Sequence, residues 1–390
     1  MRIVIDNVSP GLATSQNTMG SLRNYLEHLV NAMAAIEPRN EYIVLCPRWN
    51  TDFAFTQGEN VVIQPLTGVP RVRMARLLYE QVFYPARIAR SEPDVYLGTC
   101  NILPLALEVP SVVVVHHTQF YLCPEWYGRL RGAYVRRFTT WSVRGASAVV
   151  TVSETTRNEI IRYCGVAPEK IFTVHHGAHS DLKELTPDEV SGATQLLNSL
   201  LGPQQPYVVC VSSFYPFKNH KGLLAAFARL KRTSNLPHFL VLAGSETEAV
   251  PQASLSEHAA NLGISRDVVF LGMQPRNAVR VLYAFAAMAV MPSFAETFGH
   301  PILEAMRMGC PVATSNTSCM PEIAGDAAEL VDPCNVASIC EGMRTVLTNA
   351  TRRKELIERG RRRVSQFTFE GTAAKTLDTL KWAVGAARRA

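Results

Sequence analysis

The segment from Glu296 to Glu304 holds the densest group of side chains that could bind or transform a ligand. It reads Glu-Thr-Phe-Gly-His-Pro-Ile-Leu-Glu and follows an apolar run of strand-like composition. Pro301 suits the first position of a helix, where its missing N–H leaves no hydrogen bond unmade. We therefore expect a helix from Pro301 to about Met308, ended by Gly309. Glu296 would then lie in the loop before the helix and Glu304 in its first turn.

The start of this helix predicts a site for a ligand that has both phosphate and hydroxyl groups. Free amides around Phe298 and Gly299, together with the positive end of the helix, bind anions. Carboxylates at the same place would repel a lone phosphate, but they accept hydrogen bonds from hydroxyls. A sugar nucleotide presents both kinds of group. The alternative is that Glu296 and Glu304 are solvated residues at a helix start.

Two further side chains follow strand-like runs. Lys218 comes after Tyr207–Val211, across the loop Ser212–Phe217. A cation there could neutralise a diphosphate and stabilise a nucleoside diphosphate as it leaves. His116 directly follows the run Val112–Val115, where side chains of a parallel sheet face a ligand. The alternatives are a surface lysine and a packing histidine.

The elements that must position these residues alternate regularly along the chain. Val/Ile-rich runs without polar alternation are typical of strands covered on both faces, as in parallel sheets flanked by helices. Helical patterns lie between them, for example at Ser21–Ala34, Leu223–Lys231 and Ala278–Ala287, and this alternation predicts an α/β protein. The predicted strands are Arg2–Ile5, Glu41–Leu45, Val61–Ile63, Val95–Leu97, Ser111–Val115, Ala148–Val152, Ile171–Val174, Tyr207–Val211, Phe239–Ala243, Val268–Leu271, Ala289–Met291 and Pro311–Thr314.

The strand series restarts at Tyr207, after a polar, partly helical stretch that ends in Gly-Pro-Gln-Gln-Pro. This predicts two Rossmann-like domains of similar size, divided somewhere between residues 178 and 205. We place the domains at 1–185 and 186–368. Ligands of such sheets bind beyond the carboxyl ends of the strands, so we expect the site between two facing domains.

Composition excludes several classes of protein. The 390 residues are 47% hydrophobic and 18% charged, which suits large cores and not a disordered chain. A net charge of +6 is mild, so we expect no nucleic-acid partner. Nine scattered cysteines without CxxC or zinc-like spacing indicate reduced thiols, and without Asp-x-Asp we expect no required metal. The start does not resemble a signal peptide and no apolar run reaches about 18 residues, so we expect a cytoplasmic protein.

The chain resembles glycosyltransferase family 4, the retaining, nucleotide-sugar-dependent enzymes of the GT-B fold. The resemblance rests on the spacing of Glu296 and Glu304 and on weaker motifs in family order over nearly the whole chain. These motifs are the Met1–Asp6 strand, Gly20 before a helix, Val115-His116, Thr151–Glu154, Val174–Gly177, Phe217–Asn219, Leu242–Gly244, Phe270–Gly272, Gly309–Val312 and Pro321–Ala328. The implied fold is two Rossmann-like domains facing each other across a cleft.

The resemblance implies roles for particular residues. Glu296 would bind hydroxyls of the donor sugar and Glu304 those of the ribose, while His116 would lie close to the reacting sugar. Gly20 would begin a helix after a loop, Val8–Met19, that covers the donor diphosphate. The implied catalytic residues are His116, Lys218 and Glu296, and the implied donor-binding residues are Gly20, Ser213, Gly244, Thr297, Phe298, Gly299 and Glu304.

Two positions depart from the family pattern. The family usually has an arginine five residues before the lysine, where this chain has Ser213, so the cation that replaces it is open. An aspartate usually follows the histidine, where this chain has His117, whose role is also open. For His175 and His176 we expect structural hydrogen bonding.

The resulting hypothesis is a retaining hexosyltransferase of cell-surface polysaccharide or glycoconjugate synthesis. It would move a sugar from a nucleoside-diphosphate sugar to a hydroxyl of a glycan or glycolipid, with no other cofactor. Mannose from GDP-mannose is the preferred donor because Lys218-Asn219-His220 looks like mannosyltransferase members, and UDP-sugars stay open. The domain 1–185, with a final helix at about 369–390 packing back on it, would bind the acceptor, and 186–368 the donor.

Alternatives remain open for the reaction mechanism and for the class of protein. Since no carboxylate nucleophile is obvious in the first domain, the resemblance favours same-face attack, in which the leaving phosphate helps to deprotonate the acceptor. An epimerase of the same fold and a non-catalytic, sugar-nucleotide-binding partner subunit are the competing hypotheses.

A basic, aromatic stretch predicts a surface contact. Residues 70–145 hold ten arginines against five acids, interleaved with residues such as Phe83, Tyr84 and Trp126. Such a pattern suits an anionic membrane or a lipid-diphosphate acceptor, and we expect peripheral contact with the cytoplasmic face of the membrane. Solvated helix faces are the alternative.

Overall fold

The computed structural model describes residues 1–8, 16–51, 55, 59–178, 182–202 and 206–389, of which 16–21, 73 and 74 by their backbone alone. In this part of the chain the strands are β1 (Arg2–Asp6), β2 (Glu41–Pro47), β3 (Val61–Leu66), β4 (Val95–Gly98), β5 (Ser111–Val115), β6 (Ala148–Thr151), β7 (Ile171–Thr173), β8 (Tyr207–Val211), β9 (Phe239–Ala243), β10 (Val268–Gly272), β11 (Met288–Met291), β12 (Val312–Ser315) and β13 (Ala328–Val331). The helices are α1 (Gln16–Ile36), α2 (Arg73–Val82), α3 (Tyr84–Ala89), α4 (Gln119–Leu122), α5 (Arg129–Gly145), α6 (Glu154–Cys164), α7 (Val190–Leu201), α8 (His220–Thr233), α9 (Gln252–Asn261), α10 (Arg276–Phe285), α11 (His300–Arg307), α12 (Met320–Ala324), α13 (Val336–Thr348), α14 (Ala350–Val364) and α15 (Phe369–Ala387).

The chain forms two compact units. Unit 1 comprises Met1–Gly177 together with Phe367–Ala390, and unit 2 comprises Ala178–Gln366. Helix α15 therefore belongs to unit 1, although the whole of unit 2 precedes it in the sequence.

Unit 1 is built on a seven-stranded parallel sheet in the order β3-β2-β1-β4-β5-β6-β7. Every residue of β5 is buried, which explains its uninterrupted run of valines. Leu29 of α1 and Leu377 of α15 pack on one face of the sheet. Tyr84 of α3 and Val143 of α5 pack on the other. Full burial of one such aliphatic side chain stabilises the unit by roughly 1.5–3 kcal/mol.

Unit 2 has a six-stranded parallel sheet in the order β10-β9-β8-β11-β12-β13. Numbered within the unit this is the Rossmann order 3-2-1-4-5-6, and the order reverses between β8 and β11. Phe227 of α8 and Met343 of α13 cover one face of the sheet. In sheets of this kind, ligands bind outside the carboxyl ends of the strands at the reversal point. The predicted α/β class with two Rossmann-like units is thus confirmed.

All twelve predicted strands form, with ends that differ by up to three residues. The sequence reading missed β13, an Ala-Glu-Leu-Val run that lies at the sheet edge, pairs with β12 alone and has two middle residues that are not buried. The predicted start of the first helix was wrong: α1 begins at Gln16, so Gly20 lies in its second turn and not before it. A glycine within the helix does not stop it, since the cost is about 1 kcal/mol.

The nine cysteines are free, and seven of them are buried. Burial raises the pKa of the Cys210 thiol to about 11. Among the residues described above, no group of three or more His, Cys, Asp or Glu side chains could hold a metal ion. Likewise, none of the helices traced in these ranges is long and apolar enough to cross a membrane.

Candidate active site

The loop that follows β8 is fastened by Asn219. This residue adopts the left-handed conformation, φ +57°, which asparagine tolerates better than most residues. Its Oδ1 accepts a hydrogen bond from the N–H of Gly222 and so caps α8. Its Nδ2 donates to the carbonyls of Pro292, over 3.0 Å, and Pro333, over 2.8 Å. Asn219 thereby holds the neighbouring Lys218 beside the loop that follows β11.

Lys218 and Glu296 meet at the reversal point of the unit 2 sheet. Lys218 Nζ lies 2.5 Å from Glu296 Oε1, and the two side chains are only 16% and 13% exposed. The hydroxyl of Ser293 donates to the same carboxylate oxygen over 2.8 Å. The backbone of Glu296 is fixed by the hydroxyl of Ser318, which accepts from its N–H and donates to its carbonyl. The pair is therefore a rigid, charge-assisted contact at the expected ligand edge.

One pocket of unit 2 brings three predicted site residues together. Its lining includes Lys218, Glu296 and Gly299, joined by Ser212 and Ser293. The sequence analysis missed Ser293. Its position directly beyond the carboxyl end of β11 was the signal that could have identified it.

The helix predicted after Glu296 forms as α11. Gly299 precedes it with φ +88°, a conformation that disfavours a side chain. Phe298 is buried and its ring packs edge-on against that of His300, with centroids 4.8 Å apart. Thr297 is buried as well. These residues fix the helix start, whose amides and positive end favour an anion.

Glu304 has a cationic neighbour that the sequence analysis did not identify. Arg276 Nη1 lies 3.3 Å from Glu304 Oε1. The glutamate side chain is 11% exposed and the arginine 39%, so the guanidinium also reaches solvent. Arg276 is the first residue of α10 and lies beyond the carboxyl end of β10. This position was the one signal in the sequence that could have identified it. A second cation thus lies beside a predicted donor-binding carboxylate.

Two other predicted donor-binding residues support the β8 loop. A side chain on Gly244 would place its Cβ 2.0 Å from the carbonyl oxygen of Ser212, so only glycine fits there. The N–H of Gly244 donates to the carbonyl of Gly272 over 2.8 Å. Ser213 is half-buried, and its carbonyl accepts from the N–H of Tyr215.

His220, next to Asn219, is a neutral residue beneath the site. Its Nε2 lies 3.1 Å from the hydroxyl of Ser212. Burial, with a smaller effect of Lys218, lowers the pKa of His220 to about 3. The imidazole therefore supports the loop without adding positive charge.

His116 lies in unit 1, directly after β5, and is 8% exposed. Its ring packs edge-on against Tyr25, with centroids 4.9 Å apart, and lies 5.1 Å from that of His176. Burial, followed by the charge of His117, lowers the pKa of His116 to about 3. His116 is therefore a neutral imidazole that can exchange hydrogen bonds but carries no charge near neutral pH.

Gly20, the other predicted site residue of unit 1, lies inside α1. Residues 9–15, the greater part of the loop expected over the diphosphate, fall outside the described residues. The carbonyl of His175 accepts a hydrogen bond from Thr372 of α15, in keeping with the structural role expected for it.

The basic, aromatic stretch divides between core and surface. Tyr84, expected on the basic face, is wholly buried, and its hydroxyl donates to Asp6. This part of the prediction was wrong because every third or fourth residue of α2 and α3 faces the sheet. Val82 and Phe83 are 57% and 59% exposed. They line a groove of about 380 Å³ together with Arg87 and Arg90.

Comparison with known proteins gives two family matches. Residues 197–363 match the family described as glycosyl transferases group 1, and residues 22–182 match Glycosyltransferase Family 4. The chain is 31% identical over 319 residues to O-antigen chain mannosyltransferase B of Escherichia coli, covering 80% of this chain and 81% of that protein. It is 27% identical over 304 residues to MMP alpha-(1->4)-mannosyltransferase of Mycolicibacterium hassiacum, covering 74% of this chain and 69% of the other.

A solved structure has the same fold. The crystal structure of Anabaena HepE in complex with UDP and glucose superposes with a TM-score of 0.72 at 18% identity. The match covers 98% of this chain and 99% of HepE.

Proposed function

This chain belongs to the group 1, family 4 glycosyltransferases and has their GT-B fold, and on that premise we propose that it moves mannose from GDP-mannose to a glycan or glycolipid hydroxyl, with retention. The identity to an O-antigen chain mannosyltransferase and to a second mannosyltransferase supports the sugar. The first of these also supports a role in cell-surface polysaccharide synthesis. UDP-linked sugars are the competing donors.

The contact between Lys218 and Glu296 carries this proposal. A diphosphate needs a cation at the point where negative charge develops as the nucleotide leaves, and Lys218 supplies it. Glu296, freed from the lysine, accepts hydrogen bonds from sugar hydroxyls, and Glu304 accepts them from the ribose. The Ser293 hydroxyl keeps Glu296 oriented during this exchange.

Transfer then follows the same-face course. The bond between the sugar C1 and the leaving diphosphate oxygen breaks, and the acceptor oxygen forms its bond to C1 on the same face. The proton of the acceptor hydroxyl passes to the leaving phosphate. His116, which stays neutral, accepts a hydrogen bond from a sugar hydroxyl. No residue of the chain forms a covalent intermediate in this scheme, and no metal is needed.

We assign the acceptor to residues 1–185 together with the last helix, at about 369–390, and the donor to residues 186–368. We also propose a cytoplasmic protein that contacts an anionic membrane surface through α2 and α3. Exposed Val82 and Phe83 beside Arg87 and Arg90 support that contact, because aromatic and basic residues together suit the headgroup zone.

The test is a panel of GDP- and UDP-sugars with purified protein, in which the released nucleoside diphosphate is measured. Glu296→Ala and Lys218→Ala should each lower turnover by about 10²–10³-fold. Lys231→Ala is the matched control, because Lys231, near the other end of α8, also forms an ion pair, with Asp267 at 2.8 Å. Wild-type turnover by both site variants would overturn the assignment. Binding of a donor without any turnover would instead favour the non-catalytic, sugar-nucleotide-binding subunit, and absence of binding with every donor would reject a nucleotide-sugar donor.

A further inference from the structure

Asn101 lies between β4 and β5 and is completely buried, with φ +55°. Its Oδ1 accepts a hydrogen bond from the N–H of His116 over 2.9 Å. Its Nδ2 donates to the carbonyl of His117 over 2.7 Å. One side chain thus binds the backbone at two consecutive residues, starting directly beyond the end of β5.

This contact replaces a strand partner. β4 pairs with β5 as far as Gly98 and Val113, and the N–H of Asn101 still donates to the carbonyl of Val114. Beyond that point none of the strands that the structure describes lies beside residues 116 and 117 on this side. A buried N–H or C=O without a partner costs about 1–3 kcal/mol. The amide of Asn101 offers one acceptor and one donor, as a peptide group would, and satisfies both groups.

The ring of His116 lies among aromatic neighbours. It packs edge-on against Tyr25, with centroids 4.9 Å apart, and lies 5.1 Å from the ring of His176. A shift of the backbone at residue 116 would therefore move the imidazole within a close-packed group of rings.

We infer that Asn101 is a positioning residue for His116, whose backbone it fixes directly beyond the end of β5. The inference rests on the proposed role of His116 in transfer. Asn101 itself touches neither donor nor acceptor in this account. It acts through the backbone of residues 116 and 117.

Two substitutions separate the effect of the two Asn101 side-chain hydrogen bonds from that of its backbone conformation. Asn101→Gly keeps the left-handed conformation accessible but removes both hydrogen bonds. Asn101→Asp keeps the acceptor for the N–H of His116 and loses the donor to His117. The matched control is Asn40→Gly, because Asn40 is a buried asparagine of the same unit that bonds the amino group of Met1 and the hydroxyl of Tyr42.

We expect Asn101→Gly to lower kcat by about 10–100-fold, since small misplacements of a reacting group have effects of that size. The kcat of Asn101→Asp should lie between that of Asn101→Gly and that of the wild type. The affinity for free nucleoside diphosphate should not change in either variant. Asn40→Gly should keep wild-type kcat even where its melting temperature falls equally.

The ¹⁵N chemical shifts of the His116 ring supply a second readout. They should change in Asn101→Gly and Asn101→Asp and keep the wild-type values in Asn40→Gly, and Asn101→Asp serves if Asn101→Gly does not fold. Equal kcat losses in the Asn40 and Asn101 variants, or wild-type kcat in both Asn101 variants, would overturn the inference. Full activity of His116→Ala would instead reject the proposed role of His116, while unchanged shifts in both Asn101 variants would reject the positioning role of Asn101.

Discussion

Lys218 and Glu296 neutralise each other across 2.5 Å, although 78 positions of sequence separate them. The proposed reaction gives them different partners, the diphosphate for the lysine and the sugar hydroxyls for the glutamate. Each protects the other from being a buried, unpaired charge, which would cost several kcal/mol. Donor binding must therefore exchange this contact for two new ones. The free energy of donor binding then includes the gain from the two new contacts minus the loss of the contact between Lys218 and Glu296.

Replacing Glu296 by Gln should separate binding from turnover. Lys218 would lose its anionic partner and become available to phosphate, so free nucleoside diphosphate should bind about three- to tenfold more tightly, up to roughly 1.4 kcal/mol. Turnover should fall by about 10²-fold because the sugar hydroxyls lose a carboxylate acceptor. Calorimetry and a product assay on one preparation would measure both. Weaker nucleotide binding by this variant would contradict the exchange.

Arg276 is expected to contribute to nucleotide binding. Without it Glu304 would carry an uncompensated charge next to an anionic ligand, so Arg276→Gln should weaken nucleoside diphosphate binding about tenfold, or roughly 1.4 kcal/mol. Arg280→Gln is the control: Arg280 lies one turn later on α10, but it binds Glu189 at 2.8 Å. That variant should lose stability and keep its affinity. Equal nucleotide affinities in the two variants would reject the assignment.

The protein should become less stable as the pH is lowered, because its buried histidines are neutral in the folded state. The pKa of His220 is about 3 in the folded state against an ordinary 6.5, so the unfolded chain binds an extra proton between these values. The resulting stabilisation is complete above pH 6.5 and is lost towards pH 3, at about 1.4 kcal/mol per pH unit for each histidine. His116 contributes in the same direction.

His220→Gln should therefore have a urea midpoint that depends less on pH than that of the wild type between about pH 6.5 and 4.5. Gln can still bond the Ser212 hydroxyl, which limits other changes. Parallel curves for the two proteins over this range would show that His220 is not held neutral.

The exposed residues in and next to α2 and α3 should bind lipid. Val82→Asp with Phe83→Asp should abolish cosedimentation with vesicles of mixed neutral and anionic phospholipid. Arg87→Gln with Arg90→Gln should weaken it most at low salt, because screening acts within about 8 Å at physiological ionic strength. Val190→Asp, an exposed position of unit 2, is the control. Unchanged sedimentation of all three variants would remove α2 and α3 from any membrane contact.

The strands and the glutamate segment could be predicted because each depends on neighbouring residues in the sequence. Buried parallel strands are continuous Val/Ile runs, and Pro301 and Gly309 bound α11 through local backbone preferences. Because Lys218 and Glu296 each follow a strand, the strand order alone suffices to bring them together. Asn101 and Arg276 also follow strands, β4 and β10, but no motif in the neighbouring sequence marks either residue. Their significance lies in contacts with distant residues, with 116 and 117 for Asn101 and with Glu304 for Arg276.

The return of α15 to unit 1 has a consequence for biosynthesis. The face of the first sheet that α15 covers, together with Leu29 of α1, stays exposed until Phe369–Ala387 has left the ribosome. Unit 2 is contiguous and can complete its core earlier, although its synthesis starts later. The first sheet is thus synthesised before unit 2, but the core of unit 1 is completed after that of unit 2. Until then the apolar face that α15 covers in the folded protein is open to aggregation, as transiently exposed apolar surface generally is.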